Sequence, residues 1–147
     1  MAKKKGVPYK KKKKKVVGLV QHVRIIGKKK AVETLALLDT GAERSSVDLK
    51  IAAKAGLGPI VSVLRIKSKT EPKGYVRRPV VEGTLEMCGK RKKTLFTIAD
   101  RFGMKLPVLV GRDFLDNDFI IHVEGKQGRK DEGLKRSAGN KDKGSAN

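Results

Sequence analysis

The sequence predicts a small all-β domain with basic tails, and three observations carry that expectation. Short runs of β-branched and apolar residues recur between turn signals through the middle of the chain. Both ends are nearly free of large apolar residues, so neither has a core to bury. A length of 147 residues leaves room for one such core and little for a second.

Each element follows in order. Residues 1–15 form a basic N-terminal arm: Lys3, Lys4, Lys5, Lys10, Lys11, Lys12, Lys13, Lys14 and Lys15 repel one another with no acid among them. The domain spans 16–123. Val16 to Ile26 and Ala31 to Leu38 flank Gly27-Lys28-Lys29-Lys30, the pattern of a hairpin with a basic turn. Ser46 or Asp48 caps a helix over Leu49 to Ala55, with Gly56 at its C-terminal end. Val61 to Lys67 and Val76 to Met87 make a long second hairpin around Ser68 to Tyr75, which holds Pro72 and Gly74. Cys88-Gly89-Lys90 turns the chain into a strand over Lys93 to Ala99. Leu106 to Val110, a short helical turn over Asp113 to Asp116, and a strand over Phe119 to Val123 complete the domain. Residues 124–147, rich in Gly, Lys, Ser and Asn, read as a second flexible basic tail.

Lys and Arg number 36 against 15 Asp and Glu, a net charge of +21. The arm holds +9, the domain +9 and the C-terminal tail +3. Such a chain calls for a polyanionic partner, nucleic acid first and an anionic membrane surface second. No apolar run approaches the roughly 18 residues of a membrane span, and Val16 to Val20 is too short for a secretory signal. With Cys88 as its one cysteine, the chain is expected in a reducing compartment, the cytoplasm. His22, Cys88 and His122 lack the clustered spacing of metal ligands, and no Gly-Lys-Ser/Thr phosphate loop occurs, so neither metal nor cofactor is expected.

The most informative segment is Leu37-Leu38-Asp39-Thr40-Gly41-Ala42, an apolar strand that delivers one carboxylate into a glycine turn. Glycine lets the backbone turn sharply, while neighbouring amides and the Thr40 hydroxyl are placed to hold the Asp39 carboxylate. A second segment, Pro107-Val108-Leu109-Val110-Gly111-Arg112-Asp113-Phe114-Leu115, puts Gly111 72 positions after Asp39.

The two segments together resemble the retropepsin-like aspartic peptidase fold, over most of 16–123 and in the right order. Asp39-Thr40-Gly41-Ala42 stands where that family has its catalytic turn, and Val110-Gly111-Arg112 where it has an apolar-Gly-Arg triplet before its helix. The hairpin between them occupies the flap position. Leu49 to Leu57 looks like the helix after the catalytic turn in stand-alone members. Ser45-Ser46 is similar to a branch named ATP-dependent zinc proteases. The resemblance implies a closed β-barrel with one or two short helices. It also implies catalytic roles for Asp39, Thr40 and Gly41, a structural role for Gly111, and a pair between Arg112 and Glu43.

Two functions follow. An aspartic peptidase needs two carboxylates sharing a proton. This sequence supplies one, so that reading requires a homodimer with an Asp39 from each copy; the family builds its dimer partly by interleaving termini in a shared sheet. The flap segment 67–78 departs from the Gly-rich, apolar flaps of the family in being cationic. The second reading, which composition favours, is a structural RNA binder of a ribosome: cytoplasmic, monomeric when RNA-bound, with rRNA and ribosomal proteins as partners and no membrane. Its contacts are expected from the arm, from Lys28, Lys29 and Lys30, from Lys69, Lys73, Arg77 and Arg78, and from Arg91, Lys92 and Lys93. The three basic turns are expected on one face. Aromatic content of 4% favours phosphate over base contacts.

Overall fold

The computed structural model describes residues 13–101 and 103–124, so Lys3, Lys4, Lys5, Lys10, Lys11 and Lys12 and the tail beyond Glu124 lie outside the described residues. The first hairpin joins β2 (Val20–Ile26) to β3 (Ala31–Leu38), antiparallel from Val20↔Leu37 to Ile26↔Ala31. Val16 to Ile26 is not one strand. The chain breaks at Gly18, whose amide donates to Gln21 Oε1 at 2.8 Å, and β1 (Lys15–Val17) leaves to pair in parallel with β9 (Phe119–Ile121).

After β3 the chain makes the Asp39 turn and then a strand that the apolar pattern did not suggest, β4 (Ser45–Asp48). Asp48 ends it by capping α1 (Leu49–Ala55), its carboxylate accepting from the Lys50 amide at 2.9 Å. Gly56 closes the helix at φ 77°, a left-handed conformation that glycine adopts without steric cost. The basic turn docks there: the Lys28 amide donates to Gly56 O and those of Lys29 and Lys30 to Ala55 O. A Cβ on Gly27 would sit 2.3 Å from Ala55 O, so this close approach requires glycine.

The second hairpin is β5 (Ile60–Lys67) with β6 (Tyr75–Met87). A bulge at Val61 shifts the register of β5 against Val80 and Val81, both buried, where the hairpin merges with the barrel. Cys88 and Gly89, both at positive φ, turn β6 directly into β7 (Lys90–Ala99), three residues earlier than expected. β8 (Val108–Val110) and α2 (Arg112–Leu115) follow. The seven-stranded sheet runs β2-β3-β8-β4-β7-β6-β5, and β2 also pairs with β6. Six strands therefore close into a ring, and β5 stays outside it as an edge.

The core fills that ring with Ile25, Val47, Leu85, Met87, Phe96, Val108, Val110 and Phe114, all essentially inaccessible. Ala52 and Ala55 of α1 join it; small side chains let the helix backbone lie close to the barrel. Among the described residues no helix is long and apolar enough to cross a membrane.

Candidate active site

Asp39 sits where two strands from opposite ends of the chain meet. β3 and β8 are parallel neighbours, Leu38 opposite Val110, and the Asp39 amide extends the ladder by donating to Val110 O at 2.9 Å. The backbone then turns: the Ala42 amide donates to Asp39 O, and the Gly41 amide donates to Asp39 Oδ1 at 2.8 Å. Glycine's role at 41 is proximity. A Cβ there would stand 3.2 Å from that same oxygen, crowding the carboxylate it is meant to hold. Among the described residues the Thr40 hydroxyl makes no hydrogen bond within the chain, so the expectation that it grips Asp39 is corrected: the backbone amide does this. Asp39 is half-buried, and Thr40 and Gly41 are exposed.

The second motif locks the turn from behind. Residues 42–44 cross directly over Gly111, where a Cβ would meet Arg44 O at 2.6 Å and Ala42 O at 2.8 Å. The first amides of α2 use the turn as their cap, Arg112 N donating to Ala42 O and Asp113 N to Glu43 O. The Arg112 side chain does not reach the Glu43 carboxylate. Its Nη1 donates to Thr40 O at 2.9 Å, because the carbonyls of the turn face α2 while Glu43 projects into solvent.

Two residues that stood in the quoted segments without an assigned role complete the lock. Ser45, fully buried, donates from Oγ to Asp113 Oδ1 at 2.8 Å and accepts from the Gly111 amide at 3.0 Å. Asp113 also accepts from the Ser45 amide. The result is a rigid turn that presents one half-buried carboxylate beside an exposed hydroxyl.

The expected basic contacts divide. Lys28, Lys29 and Lys30 are exposed, and Lys28 lines one shallow hollow together with Lys93. Arg91 is engaged, its Nη2 lying 3.1 Å from Glu86 Oε1. Lys92 is too: its ammonium lies 2.9 Å from Asp118 Oδ2, donates to Phe114 O at 2.7 Å and sits over the Phe114 ring. Lys69, Lys73 and Arg77 are exposed at the other end of the β5–β6 hairpin. Tyr75 lies nine residues along β6 from Thr84, the partner of Lys93, a separation of roughly 30 Å for an extended strand. The three basic turns thus do not form one patch. Lys13 is exposed, Lys14 Nζ donates to Asn117 O, and Lys15 opens β1. Arg78 is half-buried near Arg101, whose guanidinium burial holds below its ordinary value; Asp48 opposes that shift and the Arg78 charge adds to it. Among the described residues no three His, Cys, Asp or Glu side chains are grouped to hold a metal ion.

No protein-family model and no curated protein matches the chain. Solved structures do. The Legionella pneumophila protein Lpg0085, of unknown function, aligns at TM-score 0.51 and 18% identity over 76% of this chain and 95% of its own. The EIAV protease, solved with the inhibitor HBY-793, aligns at TM-score 0.51 and 23% identity over 76% and 93%. The simian foamy virus protease aligns at TM-score 0.48 and 14% identity over 65% and 90%. The domain has the retropepsin-like fold.

Proposed function

We propose that the chain is an aspartic peptidase whose active site forms between two copies, each contributing Asp39. The observation that carries this reading is the turn itself. A single carboxylate is fixed by the Gly41 amide at 2.8 Å, backed by Gly111 and Arg112, and half-exposed beside the exposed Thr40 hydroxyl, which has no partner among the described residues. Likeness of fold to the EIAV protease supports the same reading.

Two facing Asp39 carboxylates hold one proton between them, because two charges at that distance do not both ionise. The ionised one takes a proton from water, whose oxygen attacks the peptide carbon. The protonated one donates to the carbonyl oxygen. Collapse of the tetrahedral intermediate breaks the C–N bond as the amine receives a proton, and the shared proton is restored. The β1–β9 ribbon offers a place for the second copy: Val16 and Ile120 are register partners on its outer face, 67% and 47% exposed. Apolar area of this kind favours association against the repulsion of two chains of +21. Membership of a ribosome rests on composition alone.

The test combines cleavage of an unfolded protein substrate with sedimentation velocity. The expected result is a dimer whose cleavage is lost in Asp39→Asn while its mass is unchanged. A chain that stays monomeric at all concentrations and cleaves nothing overturns the proposal.

A further inference from the structure

The β5–β6 hairpin carries charge in a way that the fold does not explain. Arg65 and Arg77 stand directly opposite one another across the two strands, both exposed. Like charges so opposed weaken a sheet. On the next rung of the same face Lys67 is opposite Tyr75, and the Arg65 guanidinium lies 4.1 Å from the centre of the Tyr75 ring with Nη2 donating to its hydroxyl. Among the described residues no carboxylate pairs with Arg65, Lys67 or Arg77. Lys69 and Lys73 add two exposed cations at the tip, against Glu71. β5 is the edge of the sheet, so this face is also open along one side.

We infer that this face binds the phosphate chain of a single-stranded nucleic acid. Same-face residues along a strand repeat every two positions, about 6.7 Å, a spacing that suits successive phosphates of an extended strand. Guanidinium groups take phosphate oxygens in pairs, which makes arginine the better cation for this task at 65 and 77. The Arg65–Tyr75 pair, guanidinium over ring, supplies what an acidic peptide would leave unused, flat groups on which a base can lie. A lipid surface would call for apolar residues at the tip, and Ser68 to Gly74 has only Pro72 to offer. The inference uses neither Asp39 nor a second copy of the chain, so it stands or falls apart from the peptidase reading.

The experiment is a fluorescence-anisotropy titration of a labelled uridine oligomer of about 15 nucleotides, within the site sizes of single-strand binders, by the full chain across a range of salt. Arg77→Glu sets a carboxylate directly opposite Arg65, so the thermal midpoint should rise by about 1–4 °C. Affinity should fall at least about fivefold, with the salt slope reduced by about 0.7 for each phosphate that the variant no longer neutralises. Fold and binding thus move in opposite directions, and misfolding cannot imitate the result. Tyr75→Leu should weaken binding about fivefold or more with the slope unchanged. Unaltered affinity and slope in Arg77→Glu overturn the inference, as does displacement of the oligomer by polyglutamate or by phosphatidylserine vesicles as readily as by unlabelled RNA.

Discussion

The barrel wall and the β5–β6 hairpin share a strand, yet they treat charge in opposite ways. On the wall, Glu33, Arg24, Glu86 and Arg91 lie in register across β3, β2, β6 and β7, an alternating row with contacts of 3.6, 2.8 and 3.1 Å. Lys90 and Lys92 meet Asp118, and the Asp113 carboxylate is held by Ser45. On the hairpin, Arg65 faces Arg77 and the tip lysines face water. Charge is matched by charge on the wall and left unmatched on the hairpin, and the inference of a nucleic-acid partner rests on that difference.

That contrast breaks most visibly in the barrel core. Phe114→Ala empties a fully buried site stacked 5.7 Å from Phe119 and should cost about 3–5 kcal/mol in urea unfolding. A loss under about 1 kcal/mol would mean that α2 is not part of the cooperative core. Ser45→Ala comes next. It leaves the buried Gly111 amide without its partner and takes one hydrogen bond from the exposed Asp113 carboxylate, a cost of about 2 kcal/mol. If the peptidase proposal holds, cleavage should fall by more than stability alone explains, because the Asp39 turn loses its backing.

The charge row gives a smaller effect that depends on pH. Arg91, and with it Arg24, hold the Glu86 carboxyl below its usual 4.5. A depressed carboxyl contributes stability that is present above 4.5 and is lost as pH falls through its lowered folded value. Glu86→Gln should therefore narrow the difference between the thermal midpoints measured above 4.5 and in stronger acid. An equal drop in both proteins would show the row to be ornamental to stability. Smallest of all, Lys69→Ser with Lys73→Ser should shift unfolding by less than about 0.5 kcal/mol, since the fold makes no use of either ammonium. A clear destabilisation there would erase the distinction between the two regions.

Much of this was legible in the sequence, where the cause is local. The Lys28 to Lys30 turn, the long hairpin and the Cys88-Gly89 reversal are written in turn chemistry. Helix α1 carries its own start and stop in Asp48 and Gly56. Asp39-Thr40-Gly41 and Gly111-Arg112 marked the candidate site through a family resemblance carried by their order and spacing. Other features needed the third dimension. Val17 looks continuous with Val20, yet the two belong to different sheets because β9, more than a hundred residues away in sequence, competes for the first. Ser45 and Asp113 are unremarkable until β4 and β8 pair and carry them together. The same holds for Arg91, Lys92 and Arg77, three cations alike in composition. Strand register sets Arg91 beside Glu86 and Arg77 opposite Arg65, and the turn between α2 and β9 brings Asp118 to Lys92. What the sequence determined by itself was where the chain turns and which residues can do chemistry, because backbone preference and side-chain type act within a few residues. Which charges are used up by the fold and which remain for a partner was decided only by tertiary pairing, because an ion pair depends on distance in space and the chain does not encode that distance at any one position.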